Sequence, residues 1–394
     1  MRIAWFANID FQEGNASNSR IRAFANGLKN KGNQVFLFFL SSTVFNSNRI
    51  NKKNKGFFDG IYFNYLSGTA HRSNYRFFRF FNYLIAVIAS LILLIKKRKH
   101  FDIVYIYQPR LLFFGHIFLL TKILKIPLVI ELTELDEKTK AKSLFSFLII
   151  KSNVFNAYLY KYFCKNIIVI SEKLKKHLSK FYPESKIILI PIIVDFKRFE
   201  KINGFEHKKF AIGYLGSFSS KDGVNQIIES YKNASEKVKG LKLKLIGFNP
   251  YKKQTNRFLK SLNLNGEVEK TGQITYDKVP QWLEKCDLLI MNRTNHSFSH
   301  YGFPTKLGEY LATGIPTICT KVGDIEMYLT HAENSYLIEP DNPMQLSEAI
   351  IKRYEKYELF NKIGQQGKLV AHKHFDYIKN VEILQNVLEQ SLLN

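Results

Sequence analysis

The stretch Tyr301-Gly-Phe-Pro-Thr-Lys-Leu-Gly-Glu-Tyr-Leu-Ala-Thr-Gly-Ile-Pro316 carries most of the information about the fold. Pro304 suits the first turn of a helix, because it lacks an N–H and its φ is already helical. Gly314 suits the left-handed position just after a helix, and Pro316 prevents continuation. We therefore predict a helix over residues 304–312 whose N-terminus, beside Gly302, can bind a pyrophosphate.

Two side chains of this helix suit a nucleotide. Lys306 is close enough to the helix start to reach phosphate oxygens, and Glu309 can accept hydrogen bonds from two hydroxyls, as in a ribose. A second loop, Tyr214–Val224, leaves a predicted strand, turns at Gly216 and offers Lys221 as a point charge for phosphate. The alternative is an ordinary capped helix with surface Glu and Lys side chains.

Short apolar runs alternate with amphipathic segments of helical length along the chain, a pattern typical of parallel sheets covered by helices. The pattern stops after Pro191 and restarts at Phe210, with a polar linker over residues 195–209 between. We predict an N-terminal domain of residues 1–195, joined by a helix at 375–394, and a second domain of residues 205–374. The predicted strands are Arg2–Ala7, Gln34–Phe39, Ile103–Tyr107, Leu128–Leu132, Ile167–Ile170, Ile187–Ile190, Phe210–Leu215, Leu241–Ile246, Val268–Thr271 and Leu288–Met291.

The chain is strongly basic, with 58 Lys and Arg against 33 Asp and Glu, a formal net charge of +25. Such a balance implies an anionic partner: nucleic acid, anionic lipid or a phosphorylated substrate. About half of this excess of basic over acidic residues lies in residues 1–100. No helix-turn-helix, zinc-finger or RNA-recognition signature accompanies it, so we do not expect a nucleic-acid partner.

The apolar run Leu84–Ile95 lies between a Phe-rich segment and the basic residues 96–99. It is shorter than the roughly 20 apolar residues of a spanning helix. The favoured interpretation is a helix buried against a sheet; the alternatives are a helix lying on an anionic membrane surface and, last, a spanning helix. The N-terminus shows no signal-peptide pattern and the three cysteines lack a metal-site spacing, so we expect a cytoplasmic protein.

These motifs resemble those of retaining nucleotide-sugar glycosyltransferases of the GT-B fold, family 4. That family combines a Gly-x-x-x-x-x-Lys-Gly-type loop with a Glu-x7-Glu motif running through Gly-Phe-Pro into a helix that ends Ala-x-Gly-x-Pro. The matching residues are Gly216, Lys221, Gly223, Gly302, Phe303, Pro304, Glu309, Ala312, Gly314 and Pro316. The resemblance implies an α/β fold of two Rossmann-like doubly wound domains that face each other across a cleft.

The resemblance also implies an activity: transfer of a sugar from a UDP- or GDP-sugar to a lipid-linked or polysaccharide acceptor, with retention and without a metal or other cofactor. Assembly of O-antigen, capsule or exopolysaccharide, at the inner face of the cytoplasmic membrane, is the expected setting. The expected catalytic residues are Lys221, Lys306 and Glu134; the donor-binding residues are Gly216, Ser217, Arg293, Tyr301, Gly302, Phe303, Pro304, Thr305 and Glu309; and the acceptor-side residues are Gly14, Asn18, Arg20, Tyr107 and Glu131.

The sequence departs from the family pattern at several positions. Tyr301 stands where the first Glu of the motif normally contacts the donor sugar, Ser217 replaces a basic residue, and Tyr107 replaces a strand His. Arg293 is the candidate to replace the missing cation. An alternative on the same fold is a sugar-nucleotide epimerase acting on a UDP-amino sugar, which the basic, apolar N-terminal region disfavours.

Overall fold

The structure is a computed structural model that describes residues 1–9, 11, 16–42, 53–135, 158–202, 210–264 and 267–393. The chain divides into two compact units. Unit 1 comprises Met1–Pro191 and Tyr377–Asn394, and unit 2 comprises Ile192–Asp376. The chain therefore passes into unit 2 and returns to unit 1 for its last helix.

Unit 1 is built on an eight-stranded sheet in the order β3-β4-β2-β1-β5-β6-β7-β8. All neighbouring strands are parallel except β3 and β4, which form an antiparallel hairpin at one edge. The central strands are apolar and buried, as expected of a sheet covered on both faces. The strands are β1 (Arg2–Ala7), β2 (Gln34–Phe39), β3 (Lys55–Phe58), β4 (Ile61–Tyr65), β5 (Ile103–Tyr107), β6 (Leu128–Leu132), β7 (Asn166–Val169) and β8 (Ile187–Leu189).

Helices connect these strands, and the C-terminal helix α13 packs on α1 and the end of the sheet. Its Gln385 accepts a hydrogen bond from Asn33, and its Ser391 accepts one from Asn166. The helices of unit 1 are α1 (Ala16–Asn30), α2 (Arg76–Lys96), α3 (Leu111–Leu124), α4 (Glu172–Leu178) and α13 (Tyr377–Leu393).

Unit 2 contains a six-stranded parallel sheet in the order β11-β10-β9-β12-β13-β14. The order reverses between β9 and β12, the switch point beside which ligands bind in sheets of this type. The strands are β9 (Ala211–Leu215), β10 (Lys242–Ile246), β11 (Val268–Gly272), β12 (Leu288–Met291), β13 (Thr317–Thr320) and β14 (Tyr336–Ile338). The helices are α5 (Val224–Ser235), α6 (Lys252–Ser261), α7 (Val279–Leu283), α8 (Ser297–Tyr301), α9 (Thr305–Thr313), α10 (Ile325–Tyr328), α11 (Pro343–Glu355) and α12 (Tyr357–His374).

The predicted linker over residues 195–209 is partly wrong. Residues 196–199 form a 3₁₀ turn in which Phe199 is buried, and Ile202 is buried as well. Just before this turn, Val194 donates its N–H to the Phe375 carbonyl, 2.7 Å away. A side chain at Gly308 of α9 would overlap Val194, so the glycine allows the helix to pack closely here. The first part of the segment therefore belongs to unit 2; residues 203–209 lie outside the described residues.

The favoured interpretation of the apolar run 84–95 is also wrong. The run belongs to α2, but only Ala86, Ser90 and Leu94 of this helix are buried. Nine of its apolar side chains are 37–66% exposed: Phe77, Phe78, Phe80, Phe81, Leu84, Ile85, Ile88, Ile92 and Ile95. The helix attaches to unit 1 by one narrow side and leaves a broad apolar face uncovered.

Candidate active site

The carboxyl ends of β9 and β12 carry two loops that are joined by hydrogen bonds. Thr294 donates its N–H to the Lys221 carbonyl at 3.0 Å, and Asn292 donates its side-chain amide to the Gly223 carbonyl at 3.1 Å. Gly223 adopts a left-handed conformation, with φ of 54°. The two loops therefore form one floor beside the switch point, where the sequence predicts phosphate binding.

Helix α9 lies next to this floor and confirms the predicted helix within one residue at each end. Gly314 ends it at φ of 76°, as expected, but Pro304 precedes the first helical residue instead of occupying it. Phe303 is buried against Tyr328 and Phe375, which fixes the approach to the helix. The N-terminal turn presents backbone N–H groups and the positive end of the helix dipole.

Lys306, in the first turn of α9, reaches the loop after β9. Its Nζ donates to Asp222 Oδ1 at 2.8 Å and lies 3.4 Å from the Tyr214 hydroxyl. A Cβ at Gly216 would lie 2.6 Å from the Lys306 ammonium, so glycine leaves space for this side chain. The loop and the helix are therefore joined through a largely buried lysine, whose side chain is 16% exposed.

Burial and charge act on the two partners in different ways. Burial lowers the pKa of Lys306, and Asp222 opposes this effect. Burial alone would raise the pKa of Asp222, but Lys306, Ser219 and Arg293 outweigh it and lower that pKa to about 2. Asp222 is therefore ionised at neutral pH.

Two further cations lie close enough to interact electrostatically with Lys306: Lys221 in the loop and the buried Arg293 after β12. Arg293 Nη1 lies 3.5 Å from the Gly302 carbonyl, which joins the β12 loop to the approach to α9. Three cations thus surround one carboxylate, Asp222. Such a cluster, together with a helix N-terminus, can hold a diphosphate.

The remaining predicted donor-binding residues lie around this cluster at different depths. Gly302 and Pro304 are buried, Tyr301 and Thr305 are partly exposed, and Ser217 is exposed in the loop after β9. Tyr301 ends the short helix α8, which the sequence analysis did not predict.

Glu309 is held by a residue that the sequence analysis missed. Arg198, in the segment interpreted as a linker, donates Nη1 to Glu309 Oε1 at 2.8 Å. Its Nη2 donates to the Tyr276 carbonyl at 2.7 Å, and its guanidinium carbon lies 3.3 Å from the centre of the Tyr276 ring. An arginine in a segment of mixed charge gives no sequence signal for such a contact.

Unit 1 has its own buried ion pair at the carboxyl end of its sheet. Arg20 Nε donates to Glu131 Oε1, while Nη1 and Nη2 donate to the carbonyls of Pro191 and Ile190. Tyr105 donates its hydroxyl to Glu131 Oε2 at 2.6 Å. Both Glu131 oxygens are bonded and the side chain is inaccessible to solvent. The prediction that Glu131 contacts an acceptor is therefore wrong, because its carboxylate is fully used inside unit 1.

The other residues predicted on the acceptor side, and the predicted catalytic residue Glu134, differ in accessibility. Asn18 and Tyr107 are buried, and burial raises the pKa of the Tyr107 hydroxyl to about 12. Glu134 is exposed and donates its N–H to Gln108 Oε1. Gly14 lies outside the described residues. Glu134 is therefore the accessible carboxylate among these predicted residues.

Two family models match the chain. The model described as Glycosyltransferase Family 4 matches residues 17–198, and the model described as Glycosyl transferases group 1 matches residues 195–370. The junction between the two matched regions falls close to the boundary between unit 1 and unit 2.

Among curated proteins, the chain is 26% identical to the uncharacterized glycosyltransferase MJ1178 of Methanocaldococcus jannaschii, over 62% of this chain and 65% of that protein. It is also 26% identical to the putative teichuronic acid biosynthesis glycosyltransferase TuaC of Bacillus subtilis, over 55% and 54%. The chain thus spans about half to two thirds of the length of these relatives. Among solved structures, HepE of Anabaena in complex with UDP-glucose has a TM-score of 0.74 at 15% identity, covering 98% of this chain and 99% of that one.

Proposed function

The chain belongs to the family 4 glycosyltransferases of the GT-B fold, and from this premise we propose that it transfers a sugar from a nucleoside diphosphate to an acceptor. The observation that carries the proposal is the cluster of Lys221, Arg293 and Lys306 beside the N-terminus of α9. The site in unit 2 would take the donor, with the diphosphate at the cluster and the ribose at Glu309. UDP- and GDP-sugars are the donor classes to test.

The chemical difficulty of the reaction is the departure of an anionic diphosphate. Backbone N–H groups and lysine side chains that already point at the phosphate oxygens stabilise the charge that develops there without having to reorganise. Lys306 is well suited to this task, because Asp222 and Tyr214 fix its ammonium in place. We propose that these side chains replace a metal ion, so that EDTA leaves turnover unchanged.

The donor assignment is tested with Glu309→Ala and Lys221→Ala. A thermal-shift panel of UDP- and GDP-sugars first identifies the donor that stabilises the wild-type protein. Donor hydrolysis or transfer is then measured with both variants, and Lys278→Ala serves as a control. Turnover falls in both site variants and stays at the wild-type level in the control; unchanged turnover in both site variants contradicts the donor assignment.

The acceptor is proposed to be a lipid-linked or polysaccharide intermediate of a cell-surface polysaccharide. TuaC, whose name assigns it to teichuronic acid biosynthesis, supports this setting. Glu134 remains the candidate to contact or deprotonate the acceptor, since it is exposed after β6. Transfer with retention is proposed as well, and the anomeric configuration of the product, read by NMR, tests it.

Sugar transfer is favoured over the epimerase alternative by the relatives named above, which are described as glycosyltransferases. Incubation of the protein with a UDP-amino sugar and no acceptor separates the two activities. A transferase leaves the sugar configuration unchanged, whereas an epimerase converts it.

We further propose that unit 1 docks on the anionic inner face of the cytoplasmic membrane through α2 and α3. Among the described residues, α2 alone is long and apolar enough to cross a membrane. However, it is tied to α3 by the Ser90 hydroxyl, 2.8 Å from His116 Nε2. The exposed basic residues 96–99 begin at the last residue of α2 and continue beyond it. An attached helix with an apolar face and a basic end suits the lipid headgroup region.

Co-sedimentation with phosphatidylglycerol vesicles tests this docking. The double variant Phe81→Ser with Ile88→Ser, and separately the replacement of residues 96–99 by Gln, reduce the bound fraction. Leu369→Ser, which removes an exposed apolar side chain from unit 2, leaves it unchanged. Binding of the α2 variants at the wild-type level would contradict the proposal, as would equal binding of the wild-type protein to neutral phosphatidylcholine vesicles.

A further inference from the structure

We propose that Arg198 is a positioning residue that sets the orientation of the Glu309 carboxylate for a ribose diol. This inference rests on the proposed function, since it assumes that Glu309 faces the ribose of a nucleotide donor. Arg198 lies 111 positions before Glu309 in the chain, in a segment outside the loops that the family resemblance assigns to donor binding.

The first argument is that the two carboxylate oxygens of Glu309 differ in their hydrogen bonding. Oε1 accepts from Arg198, whereas Oε2 makes no hydrogen bond within the part of the chain that the structure describes. The Glu309 side chain remains 18% exposed. A carboxylate rotates freely about its last bond unless one oxygen is held, so the arginine leaves a single oriented oxygen for a ligand hydroxyl.

The second argument is that Arg198 is itself immobilised on several sides. The Tyr276 carbonyl accepts from Nη2, the Tyr276 ring lies against one face of the guanidinium, and the Phe199 ring lies 5.1 Å from its carbon. The arginine is 88% buried by this packing. A planar guanidinium fixed in this way loses little further entropy when it orients its partner. A lysine offers one point charge and cannot make these contacts together.

The third argument is the placement of Glu309 relative to the cationic cluster. Glu309 and Lys306 are three residues apart on α9, which puts them on the same face of the helix. The diphosphate and ribose of one nucleotide are likewise adjacent. An oriented Glu309 can therefore accept hydrogen bonds from the ribose hydroxyls of a nucleotide whose phosphates lie at Lys306.

The test compares the affinities of UDP and 2′-deoxy-UDP, and of GDP and 2′-deoxy-GDP, by isothermal titration calorimetry. The wild-type protein prefers the ribonucleotide by about tenfold or more, because the lost hydroxyl bonds a charged group. Arg198→Gln reduces this preference to less than about threefold and leaves the 2′-deoxy affinity nearly unchanged. Arg257→Gln, at an exposed position on α6, keeps the preference.

A double-variant cycle shows whether Arg198 acts through Glu309. In a Glu309→Gln background, Arg198→Gln has no further effect on the ribose preference. If Arg198→Gln weakens both nucleotides equally, the arginine only supports the fold and the inference is wrong. If the wild-type protein binds neither diphosphate, the proposed donor site is wrong too. Arg198→Lys keeps the positive charge but lacks the two guanidinium nitrogens that donate to Glu309 and Tyr276, so we expect an intermediate preference for the ribonucleotide. This variant is measured in place of Arg198→Gln if the latter does not fold.

Discussion

The two units each bury an ion pair near the carboxyl ends of their strands, and the pairs differ in how completely they are satisfied. In unit 1, every side-chain nitrogen of Arg20 and both oxygens of Glu131 have protein partners. In unit 2, Lys306 and Asp222 are joined to each other but lie among two further cations. The first cluster pairs one cation with one carboxylate, whereas the second brings three cations around one carboxylate.

The difference separates a structural pair from a binding site. A buried pair whose hydrogen bonds all end within the protein stabilises one arrangement of its strands, and removal of one partner leaves an unpaired buried charge. A buried cluster with surplus charge of one sign binds a counter-ion when a ligand brings it. Burial alone does not distinguish the two cases, but the balance of donors, acceptors and charges does.

The largest effect on stability is expected for Glu131→Gln. The substitution leaves the Arg20 charge buried without its partner, so the free energy of unfolding falls by about 3–5 kcal/mol. Trp5 in unit 1 reports this transition by fluorescence during guanidinium denaturation, in a Trp282→Phe background. Tyr105→Phe, which removes one hydrogen bond to the same carboxylate, costs about 1.5–3 kcal/mol. If Glu131→Gln changed nucleotide affinity and left stability unchanged, the Arg20–Glu131 pair would be part of a binding site and not a structural pair.

The next effect is on turnover. Lys306→Met removes a cation fixed beside the departing diphosphate, and we expect transfer to slow by about 10²–10³-fold, the usual cost of one preorganised donor. Steady-state kinetics with the donor found by thermal shift measure the loss. Lys321→Met, at an exposed lysine paired with Glu339, serves as the control and stays within about twofold. Equal losses of transfer rate in Lys306→Met and Lys321→Met would show that the position of Lys306 beside the diphosphate does not cause the slower transfer.

A smaller effect is expected on the stability of unit 2 at low pH. The folded pKa of Asp222 is about 2, below its ordinary value of 3.8. Its ionised form therefore stabilises unit 2 above pH 4, and this contribution, about 2 kcal/mol, is lost as pH falls through about 2. Unfolding of unit 2, followed by Trp282 fluorescence in a Trp5→Phe background, measures it. Asp222→Asn flattens this part of the pH profile; identical profiles for the variant and the wild-type protein would contradict the pairing.

The smallest effect is expected at the exposed pair of Lys321 and Glu339. Solvent screens this pair, so Lys321→Ala changes the free energy of unfolding by less than about 1 kcal/mol. Guanidinium denaturation of the same Trp5→Phe background measures it. If Lys321→Ala lowered the free energy of unfolding as much as Glu131→Gln, the contribution of an ion pair to stability would not depend on its exposure to solvent.

The sequence predicted ten strands of the two sheets, because their apolar runs are continuous and end in turns, but it did not predict β13 and β14 of unit 2. It missed the edge hairpin of β3 and β4, although Asp59-Gly60 between aromatic strands is a typical signal for a tight turn. Both residues have positive φ, 52° and 71°, as such a turn requires. The signal for this hairpin is therefore local, within the sequence of the turn itself.

The exposure of α2 was not available from the sequence. A run such as Leu84–Ile95 has the same composition whether a sheet, a membrane or no partner covers it. The three buried residues on one side, Ala86, Ser90 and Leu94, follow helical spacing, but larger apolar residues at similar spacing are exposed. Only the packing against α3 shows which side of the helix faces unit 1.

The sequence by itself determined many local features: most of the strands, the helix that begins after Pro304 and ends before Gly314, and the loop around Gly216. These depend on residues within a few positions of each other, through periodicity and backbone preference. The tertiary structure decided which charges meet. Arg20 with Glu131 and Arg198 with Glu309 are each separated by 111 residues. Such pairs depend on how strands and helices are placed in space, and no local pattern encodes that placement.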